Sequence, residues 1–374
     1  MLNQSKNIFN SGKTIFSAVM DGKVTGQINT ARFLLKILGE NIDESRLVLL
    51  EQPEKSKMFF FNWVKYLANF AKTSYFNNIK CVYIVANRTR KSFWFRDLFP
   101  LTLAYFSGAK LFYHIVGNDF RDFIDSLSAF ERKFFFILVS KNTCTFVVLG
   151  SRMEDEVNDT ISTCCPLSFE KEFIHLPAFI SNGSIDGSKE FFESAKINST
   201  ITLGFMSNLI PEKGFNYFLE ACTLFLRNHP DCQVWIAGPK FVDGHYELLD
   251  ELVDQKRITY YPYLDGDRKW QVLSKTDIFA LPTFYKAEYL PLSILDAMLC
   301  GCYVISCDTG DISKYIYEFN GALVDKESVT SIFNQFEKFL GASQAYDRNK
   351  IRDFVVDSFA EAKYRETLSV VWLT

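Results

Sequence analysis

Residues 278–301 read IFALPTFYKAEYLPLSILDAMLCG. The apolar run IFAL is a short strand, PTFYKAEYL a loop, and PLSILDAML a helix. Pro291 is expected in the first helical turn, where a missing N–H costs little. The unpaired N–H groups of that turn and the helix dipole make a site for an anion such as a diphosphate. Glu288 precedes the helix, and Asp296 follows just over one turn in, eight residues later. One carboxylate beside bound phosphates and one further along could accept hydrogen bonds from sugar hydroxyls. By themselves the two acids read equally as a surface Glu and a helix Asp.

The same strand–loop–helix grammar extends in both directions. On the N-terminal side, short apolar runs at 14–19, 46–50, 80–86, 110–116, 145–149 and 173–176 predict strands. Helical stretches near 29–39, 57–73, 92–107 and 121–137 separate them. Residues 181–199, rich in Ser, Gly and Asn at their start, read as a linker. Alternation then restarts, with strands at 201–206, 233–237, 258–261, 277–281, 303–306 and 322–324. The expectation is an α/β chain of two Rossmann-like doubly wound domains facing across a cleft. An N-terminal, acceptor-side domain would cover 1–180 and a donor-binding domain 200–356, with a last helix over 357–374 packing back onto the first. A length of 374 residues accommodates two such domains at roughly 150 residues each.

Composition narrows the class. Hydrophobic residues make up 48% and charged residues 23%, so the chain can build two cores and is not a disordered tail. Phe is unusually frequent, with 38 copies. Net charge is −3, but residues 1–150 hold 20 Lys and Arg against 11 Asp and Glu. A basic first half points to an anionic partner on that side, and its diffuseness argues against nucleic acid. Nine Cys without a CxxC pair, beside four His, exclude a zinc framework and speak for buried thiols in a reducing compartment. No apolar run reaches spanning length, and the N-terminus lacks the apolar core of a signal peptide. The expected location is cytoplasmic, with peripheral contact at the inner face of a membrane through the N-terminal domain.

Further stretches carry candidate chemistry. In ITLGFMSNLIPEKGFNYFLEA (201–221) a strand and loop lead to Lys213-Gly214 at a helix start. A lysine beside a helix N-terminus suits phosphate, although a solvated lysine in a turn explains this piece alone. MDGKVTGQINTARFLLKIL (20–38) follows the first strand, and Gly26 would let backbone approach a ligand closely. His114 ends a predicted strand, at the cleft edge; a lone histidine is more often a structural hydrogen bonder. Arg88, Arg90, Lys91 and Arg96 cluster after the third strand, either for an anionic acceptor such as a lipid-linked diphosphate or as a solvated loop. The aromatic-rich segment 57–76 reads as a helix packed under the sheet or an interfacial membrane helix. DGD at 265–267 reads as a turn and N-cap rather than a metal-binding acid pair.

Together, E-YLPLSIL-D-AM with the following Gly301, the Lys213-Gly214 block and the run CYVISCDTGDISKYIYEFNGALVD (302–325) resemble the family 4 retaining glycosyltransferases. Those enzymes have the GT-B fold and are common in surface-polysaccharide assembly; Gly310 matches their loop glycine. The resemblance implies transfer of a hexose-type sugar from a nucleoside diphosphate donor, UDP or GDP, to a glycan hydroxyl, with retention and without metal or cofactor. It implies that Lys213 contacts the donor pyrophosphate, Glu288 the donor sugar and Asp296 the ribose. Leu290, Pro291 and Leu292 would form the phosphate-facing helix start, and Gly26 and Gly310 the glycine loops. His114 would approach the donor sugar. Asn208 stands where many members place an arginine. The implied partners are the nucleotide sugar and a glycan or lipid-linked oligosaccharide, with Arg88, Lys91 and Arg96 on the acceptor side. Two other readings remain: a non-catalytic glycan-binding or assembly protein on this scaffold, and a nucleotide-sugar epimerase.

Overall fold

The computed structural model describes residues 12–373 apart from 21–25, 54–58, 76–77, 88, 142–143, 166, 168, 196–199, 242–243 and 343–345. The chain divides into two compact units, Met1–Pro177 with Tyr364–Thr374, and Ala178–Lys363.

The first unit holds a six-stranded sheet of β1 (Lys13–Val19), β2 (Leu47–Gln52), β3 (Ile79–Val85), β4 (Lys110–His114), β5 (Cys144–Val148) and β6 (Lys171–His175). Their order is β2-β1-β3-β4-β5-β6, and every pairing is parallel. The inner strands are buried nearly throughout, which is why they read as continuous apolar runs rather than alternating ones. The abundance of Phe has its explanation here. Phe135 is fully buried, with ring centroids of Phe93, Tyr113, Phe120, Phe123 and Phe136 between 5.4 and 6.3 Å away. Burying each such ring contributes about 2–3 kcal/mol.

The second unit repeats the plan with β7 (Thr202–Met206), β8 (Gln233–Ala237), β9 (Thr259–Tyr261), β10 (Ile278–Leu281), β11 (Tyr303–Cys307) and β12 (Gly321–Val324). Their order is β12-β11-β10-β7-β8-β9, again all parallel. β7 and β10 lie side by side at the centre, and the sheet grows in opposite directions from them. Such a reversal of strand order opens a crevice at the carboxyl ends of the two central strands. In the first unit the corresponding reversal falls at β1 and β3.

All twelve predicted strands are present, their ends shifted by at most two residues. The helix expected near 121–137 is two, Phe120–Ser126 and Ala129–Ser140, the second started by a capping box of Ser128 and Glu131. Three further helices differ from the sequence reading. The segment 181–199 was expected as a linker, yet Asn182–Ser194 is a helix capped by the Ser181 hydroxyl on the Ser184 N–H. Its Ser188 hydroxyl and Ile185 carbonyl accept from the buried Arg352 guanidinium at 3.0 and 3.1 Å. The Ser- and Gly-rich start hides the helix because its anchor is polar and lies far along the chain. Arg352 itself belongs to a second unexpected helix, Arg348–Phe359, started by the Asp347 carboxylate on two backbone N–H groups. The third, Ser151–Cys164, buries Met153, Val157, Thr160 and Ile161 on one stripe of an otherwise polar helix. The last helix, Glu361–Leu373, brings Tyr364 against Phe33 and Arg365 onto Glu40 within the first unit. All nine cysteines are free thiols, six of them buried. No helix among the described residues is long and apolar enough to cross a membrane.

Candidate functional site

In the second unit the loops leaving β7 and β10 are joined. After β7, residues Pro211–Lys213 form a single 3₁₀ turn, and Gly214 then adopts φ +76° before the helix Phe215–Asn228. A Cβ on Gly214 would lie 2.2 Å from the Pro282 carbonyl oxygen at the end of β10, so only glycine permits this approach. The Phe284 N–H donates to the Glu212 carbonyl at 2.8 Å and fixes the second loop to the first.

That seam sets Lys213 directly on Glu288. The two side chains form an ion pair, each 13% exposed, and the Lys213 ammonium lies 4.7 Å from the centre of the Tyr285 ring. Such a pair is costly to leave half-made, because removing one partner strands a poorly hydrated charge. Gly310, at φ +55°, lies against the other side of Glu288: a Cβ there would fall 2.6 Å from the Glu288 carbonyl oxygen and 2.4 Å from that of Tyr289. The Asp311 N–H donates to the Tyr289 carbonyl at 3.0 Å, so the loop after β11 buttresses the acidic loop.

The helix after this loop is Leu292–Leu299, one residue later than the sequence reading placed it. Pro291 is the N-cap, with extended backbone, and not a residue of the first turn. Its carbonyl accepts from the Ile294 and Leu295 N–H groups, while those of Leu292 and Ser293 have no acceptor among the described residues. No side chain caps this end. An uncapped N-terminus with open N–H groups is a ready anion site. Leu290 is buried beneath the loop, and Leu292 is partly exposed at the helix start.

Asp296 lies further along the helix, on Lys269 at 2.8 Å; the side chains are 17% and 19% exposed. Burial raises the carboxyl above the usual carboxylate range, against the opposing pull of the Lys269 ammonium. Lys269 also stacks on Trp270, 3.9 Å from the ring centre. Lys269 was absent from the sequence reading, because nothing local ties it to an acid 27 residues away. Asn208 is exposed on the β7 loop. Asp265 holds the N-cap position of the helix Gly266–Leu273, in keeping with the turn reading of DGD, although its side chain makes no capping bond.

The remaining expected residues belong to the first unit. Gly26 is the first residue of the helix Gly26–Asn41, and most of the loop before it lies outside the described residues. His114 does end β4, but its side chain is fully buried rather than open at an edge. β4 is an inner strand, and the Tyr83 hydroxyl closes over the ring, 3.0 Å from Nδ1. Desolvation lowers the imidazole pKa to about 3, so this histidine is neutral. The basic cluster is also redistributed. Arg88 lies outside the described residues, and Arg90 is committed to Glu131 at 2.8 Å. Lys91 is exposed, whereas Arg96 is buried and donates to Asn87 Oδ1 at 3.1 Å. The cause is a π turn over Phe93–Asp97, whose wider winding brings Arg96 and Asp97 inward together. Asp97 accepts from the Asn87 N–H at 2.9 Å, the Asn87 amide at 2.7 Å and the Gln52 amide at 3.3 Å. Burial outweighs these bonds and raises its pKa to about 7.

Two doubly wound parallel sheets in tandem, the second with an open helix start and a lysine–glutamate pair at its strand-order reversal, are the GT-B fold of the solved glycosyltransferases that this chain resembles. Residues 186–352 match the family model described as Glycosyl transferases group 1. The second unit is thus similar to a glycosyltransferase group 1 domain. Solved structures agree on the fold. HepE from Anabaena in complex with UDP superposes with a TM-score of 0.66 at 14% identity, covering 96% of this chain and 99% of that one. Sucrose-phosphate synthase from Thermosynechococcus elongatus gives 0.65 at 12% identity, covering 96% and 98%. A glycosyltransferase from Rickettsia africae gives 0.63 at 13%, with the same coverage. No curated protein sequence matches the chain.

Proposed function

We propose that the protein is a retaining glycosyltransferase that moves a hexose-type sugar from a nucleoside diphosphate to a hydroxyl of a lipid-linked glycan. The observation that carries this reading is the meeting of Lys213, Glu288 and the uncapped start of Leu292–Leu299 at the reversal of β7 and β10. As the bond from the sugar to the diphosphate breaks, negative charge accumulates on the leaving phosphate. The Lys213 ammonium and the N–H groups of Leu292 and Ser293 are fixed donors for that charge and need little reorganisation. Glu288 holds Lys213 in place and offers its carboxylate to sugar hydroxyls; Asp296, steadied by Lys269, accepts from the ribose. UDP is the favoured nucleotide, supported by the fold shared with HepE, which was solved with UDP and with UDP-glucose. His114, fully buried and neutral beneath the Tyr83 hydroxyl, is given no contact with the donor in this reading. Asn208 contributes a neutral donor to the diphosphate, and the glycine turns at Gly26 and Gly310 keep backbone close to the ligand. No metal or cofactor is assigned, and the work is placed on the cytoplasmic side, in polysaccharide assembly.

Calorimetry with UDP and GDP tests the reading. UDP should bind in the micromolar range, with about 1–3 kcal/mol lost in Lys213→Ala and in Asp296→Ala. Binding that survives both substitutions would place the nucleotide elsewhere. Binding without turnover of UDP-sugar on any lipid-linked acceptor would leave a non-catalytic glycan-binding protein.

A further inference from the structure

The helix Phe59–Ser74 has two apolar sides. Its inner side packs under the first sheet: Tyr66 is buried, with its hydroxyl on the Arg96 carbonyl at 2.6 Å, and its ring and that of Phe70 meet Phe99 at 5.5 and 5.3 Å. Its outer side is left in solvent, where Phe60 is 75% and Phe61 64% exposed. The adjoining helical stretch 93–107 runs alongside and adds Phe95 at 41% and Phe106 at 79% exposure. Phe59 and Trp63 both contact Phe95, and Phe60 contacts Trp63, so the rings at the start of the helix form one surface, while Phe106 lies toward the other end of the same helix pair. An apolar groove of about 530 Å³, lined by Phe70, Leu98, Phe99, Leu103 and Phe106, opens between the two helices. Several nearly bare Phe rings on neighbouring helices exceed the scattered apolar exposure of an ordinary soluble surface.

Charge identifies what covers this surface. Residues 55–96 contain nine Lys and Arg and not one Asp or Glu; Arg90 is spent on Glu131 and Arg96 is buried, while Lys65, Lys72 and Lys91 stand exposed. The next acid, Asp97, is fully buried in the network with Asn87 and Gln52. On the outer side of the helix, Lys65 and Lys72 are exposed among Phe60, Phe61 and Val64. The cores of protein–protein interfaces are depleted of lysine. Lysines mixed with aromatic rings suit a lipid interface, where the rings enter the boundary of headgroups and acyl chains and the ammonium groups reach out to phosphates.

We infer that the outer face of Phe59–Ser74 and 93–107 docks on an anionic lipid surface, with Phe60, Phe61 and Phe106 inserted and Lys65 and Lys72 on lipid phosphates. The docking gives the lipid-linked acceptor reading a physical route, since acceptor and enzyme then share one surface. It rests on that reading for its purpose only.

Co-sedimentation of the full chain with vesicles of phosphatidylcholine, with and without phosphatidylglycerol, tests the inference. The protein should pellet with the phosphatidylglycerol vesicles and weaken several-fold as ionic strength rises. The double variant Phe60→Ser/Phe61→Ser should lose about tenfold or more in partitioning, and Lys65→Glu/Lys72→Glu several-fold. All four side chains are at the surface, so folding should persist, checked by the denaturation midpoint. UDP affinity measured on the same samples should be unchanged; its absence in every sample would count against the donor site and not against docking. Equal pelleting of wild type and the Phe variant, or no pelleting of either, would overturn the inference. A dimer in solution that Phe60→Ser/Phe61→Ser disperses would assign the face to a second copy of the chain instead.

Discussion

The two sheets solve the same topological problem in opposite ways. Each reverses its strand order, and each brings polar side chains to the carboxyl ends of its central strands. In the second unit those groups stay accessible: Lys213 and Glu288 are paired at the surface of a crevice, beside a helix start with open N–H groups. In the first unit they are sealed. Ser17, Gln52, Asn87 and Asp97 satisfy one another under the sheet edge, and His114 is shut in beneath Tyr83. A strand-order reversal therefore supplies a place for a ligand but not a ligand site. What differs is access to solvent: Lys213 and Glu288 keep 13% exposure beside open N–H groups, whereas Ser17, Asp97 and His114 are fully buried, His114 with its Nε2 left unpartnered among the described residues.

The comparison can be broken at its strongest point first. Phe135→Ala removes the hub of the ring cluster in the first unit and should cost about 3–5 kcal/mol by chemical denaturation. A loss below about 1 kcal/mol would mean the ring cluster packs loosely and contributes little to the first unit.

The next test uses pH, because the two sealed groups pull in opposite directions. Asp97 has a folded pKa near 7, above its unfolded value, so the folded state holds its proton more tightly. Its contribution to stability is present at low pH and is lost as pH rises from about 4 to about 7. His114 has a folded pKa near 3, below its unfolded value. Its contribution is present above pH of about 6.5 and is lost as pH falls toward 3. The wild type should therefore show a shallow profile over this window. Asp97→Asn should expose the histidine slope, with stability falling by about 2–4 kcal/mol on acidification. His114→Gln should expose the opposite slope, with stability falling as pH rises. Parallel profiles for the two variants would refute the sealed network.

The smallest effect belongs to the open unit. Lys269→Met leaves Asp296 buried without its ammonium, which should raise the carboxyl pKa further. UDP affinity should drop by about 0.5–1.5 kcal/mol and should fail at a higher pH on acidification than in the wild type. Lys269→Arg should restore most of both. Equal binding by the methionine and wild-type proteins across pH would remove Asp296 from the nucleotide site.

The strands were legible because each is a short, doubly buried run of Val, Ile, Phe and Tyr, a pattern that needs no partner to be recognised. The helix Asn182–Ser194 was not, because its stability rests on Arg352, more than 150 residues away. The same contrast holds in the site. Lys213 and Glu288 stand out locally, one beside a glycine at a helix start and one before a proline-led helix. Lys269 and the Asp97 network do not, since hydrogen bonding between distant segments leaves no periodic trace. Arg96 read as a surface cation because a π turn, which rewinds one stretch by a single residue, is invisible in hydrophobic spacing.

By itself the sequence determined the alternation of strands and helices, the two-sheet plan, and the residues with the chemistry to hold a diphosphate. These follow from local rules: apolar periodicity, turn residues and the open N–H groups of helix starts. Only the tertiary structure decided which charges meet and which are buried. The pairing of Lys213 with Glu288 and of Lys269 with Asp296, the burial of His114 and Arg96, and the bare aromatic face of Phe59–Ser74 all depend on through-space distance and exclusion of water. Both act between segments far apart in the chain, and no local pattern encodes them.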